Sequence, residues 1–172
     1  RRGLGGLWEH SFGAAVAGGA LAKELALPNL EQVSAAALMH DIGKLVLASQ
    51  LGVEYQQVIA HAVSKRMSIR DAELELLGVG HDEIGHWLVT RWRLPKSLAL
   101  PIALHHEPET ASTHEVVTAA VHIADVLVRA YGFGFAGDRL LPAISPVAWR
   151  MLSLNQAKLD RVVARMHDDL QS

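Results

Sequence analysis

The sequence predicts an all-α fold. Apolar residues recur at spacings of three and four along nearly the whole chain, as in helices with one buried face. Alternating runs of valine, isoleucine, threonine and tyrosine bounded by hairpin turns are missing. The 172 residues are 50% hydrophobic, which suits one ordinary domain that buries its own core. We therefore expect a single compact multi-helix domain over residues 1–172.

Ten helices are predicted from this periodicity together with the positions of proline, glycine and capping residues. In chain order they cover residues 7–27, 30–41, 42–48 and onward, 52–65, 68–78, 81–92, 95–105, 112 or 113 to 131, 145–152 and 155–170. The first helix is rich in alanine and glycine, small residues that allow close packing of a neighbouring helix. The last is amphipathic, with its apolar side chains on one face.

Residues that interrupt or start a helix define the first five elements. Pro28 ends the first helix, and Asn29 is expected to cap the second. Gly52 opens the more polar fourth helix. Ser68 and Asp71 resemble a capping box with aspartate in place of glutamate, which predicts the start of the fifth.

The later helices are bounded in the same way. Gly78 and Gly80 end the fifth helix, Pro95 separates the sixth from the seventh, and Pro108 lies just beyond the seventh. Ser112 or Thr113 is expected to cap the long eighth helix. Glycines at positions 132, 134 and 137 then predict a flexible loop before the two last helices.

Composition excludes several classes of function. The net charge is −2 and the lysines and arginines are dispersed, which disfavours nucleic acid as a partner. Cysteine is absent, so disulfides and thiolate metal sites are excluded, and a reducing cytoplasm is expected. The apolar stretch 116–131 is too short and too polar to span a membrane, and no secretory signal is visible. Because the chain begins without methionine, we expect a fragment of a longer protein.

Seven potential metal ligands lie at or near the ends of apolar helical segments. They are His10, His40, Asp41, His81, His105, His106 and Asp125. Any one of them alone would more often be an ordinary core or capping residue. His40-Asp41 and His105-His106, however, are adjacent pairs in hydrophobic sequence, where burial of polar side chains without partners would cost free energy. Imidazole and carboxylate ligands without sulfur suit zinc, iron, manganese or nickel. The Asp41 carboxylate can also bridge two cations, and Gly43 lets the backbone pass close by.

Six ordered blocks carry a family resemblance. They are LWEHS at 7–11, LMHDIGK at 38–44, Glu73 with LGVGHDEIG at 77–85, WRLP at 92–95, HHE at 105–107 and AD at 124–125. Together they resemble the HDOD branch of the HD superfamily of metal-dependent phosphohydrolases. The similarity covers residues 7–131 and leaves the C-terminal helices of 145–170 outside it.

The resemblance implies an all-helical HD-superfamily domain with two divalent metals. The first would be held by His10, His40, Asp41 and Asp125, and Asp41 would bridge to a second held by His81, His105 and His106. Lys44 matches a lysine that orients a phosphate in active relatives, so Asp41 and Lys44 are the candidate catalytic residues. The glycine-tyrosine-proline signature of the related cyclic-di-GMP phosphodiesterases is absent, since Glu107 is followed by Pro108.

Three functions remain open at this point. The favoured one is a bacterial signal-transduction module with a retained metal centre that hydrolyses a phosphodiester or phosphomonoester. The alternatives are an active metal-dependent phosphohydrolase or cyclic-nucleotide phosphodiesterase, and a non-catalytic protein-interaction module with a vestigial site. The expected partners are a phosphate-containing small molecule or nucleotide, or a signalling protein, and not a membrane.

Two further groups of residues have expected roles outside the ligand set. His122 shares a helix face with Asp125 and is expected to form a hydrogen bond or pack rather than bind metal. The four tryptophans, at positions 8, 87, 92 and 149, are expected in the core because they stand at helical spacing among apolar residues. The remaining histidines are expected to face solvent.

Overall fold

The computed structural model describes residues 3–172, which form helices and no strand. The prediction of an all-α multi-helix fold is confirmed. The helices are α1 (Leu4–Glu24), α2 (Leu30–Met39), α3 (Ile42–Leu51), α4 (Val53–Lys65), α5 (Ile69–Leu77), α6 (His81–Arg91), α7 (Lys96–Leu104), α8 (Glu115–Tyr131), α9 (Pro146–Met151) and α10 (Gln156–Gln171), with one 3₁₀ turn at Pro108–Thr110. None of these helices is long and apolar enough to cross a lipid bilayer.

Helix α8 is the centre of the main core and is buried on almost every side between positions 117 and 128. It packs with α1, α2, α7 and α9, while α10 packs on α1 and completes the same apolar cluster. The small residues of α1 allow close packing against α2, since a Cβ on Gly18 would lie 3.1 Å from the Ala37 Cβ. A second apolar cluster joins α3, α4 and α5, and a third joins α6 and α7. The candidate site lies where these clusters meet.

Some helix ends differ from the prediction because backbone turns, rather than proline, terminate the helices. Helix α1 ends at Glu24, where Ala26 adopts a left-handed conformation and the Leu27 N–H donates to the Ala22 carbonyl. Asn29 lies at the start of α2 but is left-handed and makes no side-chain capping bond. The prediction for Ser68 is confirmed, because its Oγ accepts from the Asp71 N–H at 3.0 Å.

The start of α8 was also predicted wrongly. His114, in a left-handed conformation, occupies the position before Glu115, so neither Ser112 nor Thr113 caps the helix. The first half of the loop after α8, which was predicted to be flexible, makes hydrogen bonds to two distant elements. The Phe135 N–H donates to the Gly6 carbonyl at 2.9 Å, and Asp138 accepts from the Ile69 N–H at 2.8 Å.

Three of the four tryptophans are more than half exposed, which contradicts the predicted core packing. Trp8, Trp87 and Trp92 are 56%, 58% and 56% exposed. Only Trp149 follows the prediction among the four, since it is partly buried and packs against the main core. Helical spacing among apolar residues therefore did not distinguish the buried face from the exposed one at these positions.

Candidate metal centre

The structure brings all seven predicted ligand side chains together in the interior. Four of them form one group, in which each residue offers a ligand atom within 4.8 Å of the others: His10, His40, Asp41 and Asp125. His10 lies on α1, His40 and Asp41 form the junction of α2 and α3, and Asp125 lies on α8. Four helices thus converge on one point.

Short distances join the atoms of this first group. The His10 Nε2 atom lies 3.0 Å from Asp125 Oδ1 and 3.3 Å from Asp41 Oδ2. The His40 Nε2 atom lies 3.2 Å from Asp41 Oδ2 and 3.5 Å from Asp125 Oδ1. Ligands that surround one ion at about 2.1 Å stand roughly 3.0 to 3.4 Å apart from each other. The first group therefore has the dimensions of a site for a single cation.

The second group consists of His81, His105 and His106. His81 is the first residue of α6, and the two adjacent histidines follow the end of α7. The Nε2 atoms of His81 and His106 are 2.8 Å apart. Two such nitrogens face each other favourably only when they share a proton or a cation, because two N–H groups, or two lone pairs, would repel each other.

Asp41 lies between the two groups, with one carboxylate oxygen towards each. Its Oδ2 atom faces His10 and His40, as described above. Its Oδ1 atom lies 3.3 Å from His81 Nε2 and 3.5 Å from His105 Nε2. A carboxylate in this position could bridge two cations, one beside each group of histidines.

Backbone carbonyls fix the orientation of two of the rings. The His40 Nδ1 atom is 2.6 Å from the Ala37 carbonyl oxygen, and His105 Nδ1 is 2.9 Å from that of Ile102. Since a carbonyl only accepts, each Nδ1 carries the proton. In the neutral form of each ring, the Nε2 lone pair is then left to point into the cluster, as metal-binding histidines require.

A further observation indicates that these residues suit a divalent cation. Three of their buried polar atoms make no hydrogen bond of acceptable geometry, despite the short contacts described above: Asp41 Oδ1, His105 Nε2 and Asp125 Oδ1. Buried polar atoms without partners are rare and costly in native proteins. All three are atoms that a cation between these side chains would coordinate, so the donor set agrees with the metal implied by the resemblance.

Glu73 is a buried residue of the site to which the sequence analysis assigned no role. Its Oε2 atom is 2.6 Å from His81 Nδ1 and accepts from the His81 N–H at 2.7 Å, while Oε1 accepts from the Tyr55 hydroxyl at 2.7 Å. The sequence held a signal, because Glu73 shares the apolar face of α5 with Ile69 and Ala72. A carboxylate behind a histidine fixes the ring and increases its basicity as a ligand.

Lys44 is fully buried and links the site to the loop after α8. Its Nζ donates to Asp41 Oδ2 at 2.6 Å and to the Ala136 carbonyl at 2.8 Å. The ammonium group therefore holds the bridging carboxylate in place. One of its three N–H groups remains for a further acceptor, so the predicted contact with a phosphate stays a prediction.

The electrostatics of the first group are dominated by two carboxylates in a buried setting. Burial raises the pKa of Asp41 and of Asp125, but the surrounding histidines, and Lys44 beside Asp41, outweigh it and hold both pKa values well below the usual range. Burial lowers the pKa of His40, yet Asp41 and Asp125 raise it to about 10. The pair of carboxylates thus requires positive charge, which a proton on His40 or a bound cation supplies.

Protonation is less favourable in the second group than in the first. Burial lowers the pKa of His105, and burial together with the neighbouring histidines lowers that of His106 well below its usual value. His81 is the exception, because Glu73 outweighs the effect of burial and raises its pKa. Neutral imidazoles are the form that binds metal.

Gly43 also has a role in packing that was not predicted from the sequence. A Cβ at this position would lie 1.9 Å from the His81 carbonyl oxygen and 2.9 Å from the Gly85 nitrogen. The missing side chain therefore allows α3 to pack against the backbone of α6. This contact places Asp41 next to His81.

The other histidines lie outside the ligand groups. His122 Nδ1 is 2.8 Å from the His105 carbonyl, and its Nε2 accepts from the Ser145 N–H at 2.9 Å, which confirms the expected hydrogen-bonding role. His114 and His167 face solvent as predicted. His61 and His86 are only partly exposed, and His61 lies 3.3 Å from Glu75.

Sequence comparison decides the family. The profile of the HDOD domain matches residues 2–108, more than half of the chain. The chain belongs to the HDOD family. The matched segment of this HDOD domain contains six of the seven cluster residues, and Asp125 on α8 lies beyond it. A comparison with curated proteins found no match.

Three crystal structures resemble this HDOD chain along most of its length. An HDOD domain protein of unknown function from Geobacter sulfurreducens is 29% identical over 93% of the chain, with a TM-score of 0.75. A candidate signal transduction protein from Marinobacter aquaeolei VT8 is 23% identical over 94%, with a TM-score of 0.79. A candidate phosphohydrolase from Shewanella amazonensis SB2B is 20% identical over 92%, with a TM-score of 0.63. The latter two, below 25% identity, show the fold alone.

The chain spans only part of each of these proteins. It covers 52%, 37% and 62% of their respective lengths.

Proposed function

We propose that this HDOD domain is a signalling module built around a pair of divalent cations. The position of Asp41 carries the proposal, because its two oxygens face two separate groups of histidines. Six of the seven cluster residues are at most 3% exposed, and His106 alone among them is partly exposed. A centre so enclosed suits a metal that joins helices and sets their packing.

Metal content and thermal stability test this proposal. We expect purified protein to bind two equivalents of zinc, manganese, iron or nickel, and a chelator to lower its melting temperature, because a ligand of the folded state stabilises that state. Asp41→Asn removes the bridging charge and should reduce the bound metal to one equivalent or none. Asp168→Asn, at an exposed position of α10, is the matched control. A chelator that leaves the melting temperature unchanged contradicts the proposal.

A second candidate function is hydrolysis of a phosphodiester or phosphomonoester. The bridging position of Asp41, with the Lys44 ammonium beside it, favours this function. A bound pair of cations would supply activation of water and neutralisation of charge on a phosphoryl group. Asp41 would hold the pair together, and the third N–H of Lys44 would donate to a phosphoryl oxygen.

Turnover of the metal-loaded protein separates the two candidates. We expect a hydrolase to cleave bis(p-nitrophenyl) phosphate or a cyclic dinucleotide in the presence of manganese or iron, and Asp41→Asn to abolish that cleavage. Undiminished turnover in Asp41→Asn would assign the activity to a contaminant. Absence of turnover in fully metallated protein would leave signalling as the remaining candidate function.

We propose the cytoplasm as the location of this function, because a chain without cysteine suits a reducing compartment.

A further inference from the structure

An open groove runs along α6 and α7, and its lining residues include none of the seven cluster residues. Two adjoining cavities of about 500 and 560 Å³ share His86 and Thr90 in their walls. We call this surface the α6–α7 groove and define it by His86, Trp87, Thr90, Arg91, Leu94 and Lys96. Trp87 is 58% exposed, and the Arg91 guanidinium lies 5.7 Å from the centre of its ring.

The cations of this groove have no carboxylate partner. Arg91 and Lys96 make no ion pair within residues 3–172, and Glu83 is the one acidic residue among the described lining residues. Arginines elsewhere behave differently: Arg70 pairs with Asp82 and Glu107, and Arg165 with Glu24. The groove is therefore a locally positive surface on a chain of net charge −2.

We propose that the α6–α7 groove binds an acidic segment of a partner protein that inserts an apolar side chain against Trp87. Tryptophan and arginine are the side chains that most often dominate binding energy at protein interfaces. The unpaired cations supply charge complementarity for an acidic segment. A nucleic acid is less suitable, because the net negative charge of the chain repels a long polyanion.

The groove also adjoins the metal centre through its two helices. Helix α6 begins with the cluster residue His81, and α7 leads directly into His105. A partner in the groove would therefore contact the two elements that position the second group of histidines. This identification of a partner rests on the proposed signalling function.

Fluorescence anisotropy with a labelled synthetic peptide tests the groove. The probe is a short peptide of glutamate, serine and leucine, and its control carries lysine in place of glutamate. We expect the acidic peptide to bind, and Trp87→Ala and the double variant Arg91→Gln/Lys96→Gln each to weaken binding by about tenfold or more. Two matched controls, Trp8→Ala and Lys65→Gln/Arg66→Gln, remove exposed side chains of the same types elsewhere and should change the affinity less than about twofold.

Several results would overturn the proposal. They are absence of binding by the acidic peptide, equal binding of the lysine peptide, and equal loss in the control variants. Stronger groove-dependent binding of a single-stranded oligonucleotide or of phosphatidylglycerol vesicles would also replace the acidic protein segment as the partner. All the substituted side chains are exposed, so each variant is expected to fold. A melting curve for each variant verifies this.

Metal content measured on the same samples separates this proposal from the proposed function. Normal metal binding without peptide binding would reject the proposed docking at the groove but leave the proposed function standing. Peptide binding that depends on the groove, in a protein that binds no metal, supports the docking surface and rejects the metal-centred function.

Discussion

At the scale of single residues, Glu73 determines which way the His81 ring faces. Its carboxylate accepts from both the ring and the backbone of His81, and Tyr55 holds its other oxygen. Burial raises the pKa of Glu73, but His81 and the Tyr55 hydroxyl outweigh this effect and lower the pKa. Glu73 therefore remains ionised beside the ring, and His81 Nε2 is left to face Asp41.

Glu73→Gln should weaken metal binding by about 10- to 100-fold, because an amide holds the ring less firmly and gives it less basicity. Competition with a chromophoric zinc chelator measures this loss. Glu75→Gln, at an exposed position of the same helix, is the control and should bind like wild type. Equal affinities for the two variants would contradict the role given to Glu73.

Lys44→Met should lower the free energy of unfolding of the metal-free protein by about 3 kcal/mol, because it leaves the buried Asp41 carboxylate without its closest cation. Chemical denaturation measures this value. Lys65→Met, at the exposed end of α4, provides the comparison and should fall within about 0.5 kcal/mol of wild type. A similarly small change for Lys44→Met would show that the ammonium group does not hold Asp41.

At the scale of elements, the loop after α8 acts as a strap across the ends of α1, α3 and α5. It contacts α1 through Gly134, receives the Lys44 ammonium at Ala136, and accepts the first N–H of α5 at Asp138. Each partner is distant in sequence, by 92 residues for Lys44 and 69 for Ile69. The glycines predict from local sequence that α8 ends before this loop, but they do not predict hydrogen bonds to residues so distant in the chain.

Gly134→Ala tests the strap, because its Cβ would lie 2.3 Å from the His10 backbone nitrogen in a left-handed conformation. We expect a loss of about 3 kcal/mol, from backbone strain together with the clash. Gly132→Ala has a similar positive φ and open space around its Cβ, so it should lose only about 1 kcal/mol. Thermal or chemical unfolding compares the two, and equal losses would contradict a close contact between strap and α1.

At the scale of the whole molecule, the sequence predicted what depends on local patterns. Helical periodicity indicated the elements, and the two adjacent pairs at helix junctions pointed to four of the seven side chains that the fold brings together. The resemblance singled out the other three, His10, His81 and Asp125. It also supplied the division of all seven into two groups. Glu73, the strap and the exposed tryptophans were not predicted, because they depend on which helix faces meet and on hydrogen bonds between distant segments.

Anomalous diffraction from a metal-loaded crystal would show whether Asp41 joins two cations. Data collected on both sides of the absorption edge of the added metal would locate each ion. We expect two peaks about 3.5 to 4 Å apart, one on each side of the Asp41 carboxylate. A single peak, peaks remote from Asp41, or no peak from protein saturated with metal would contradict the account.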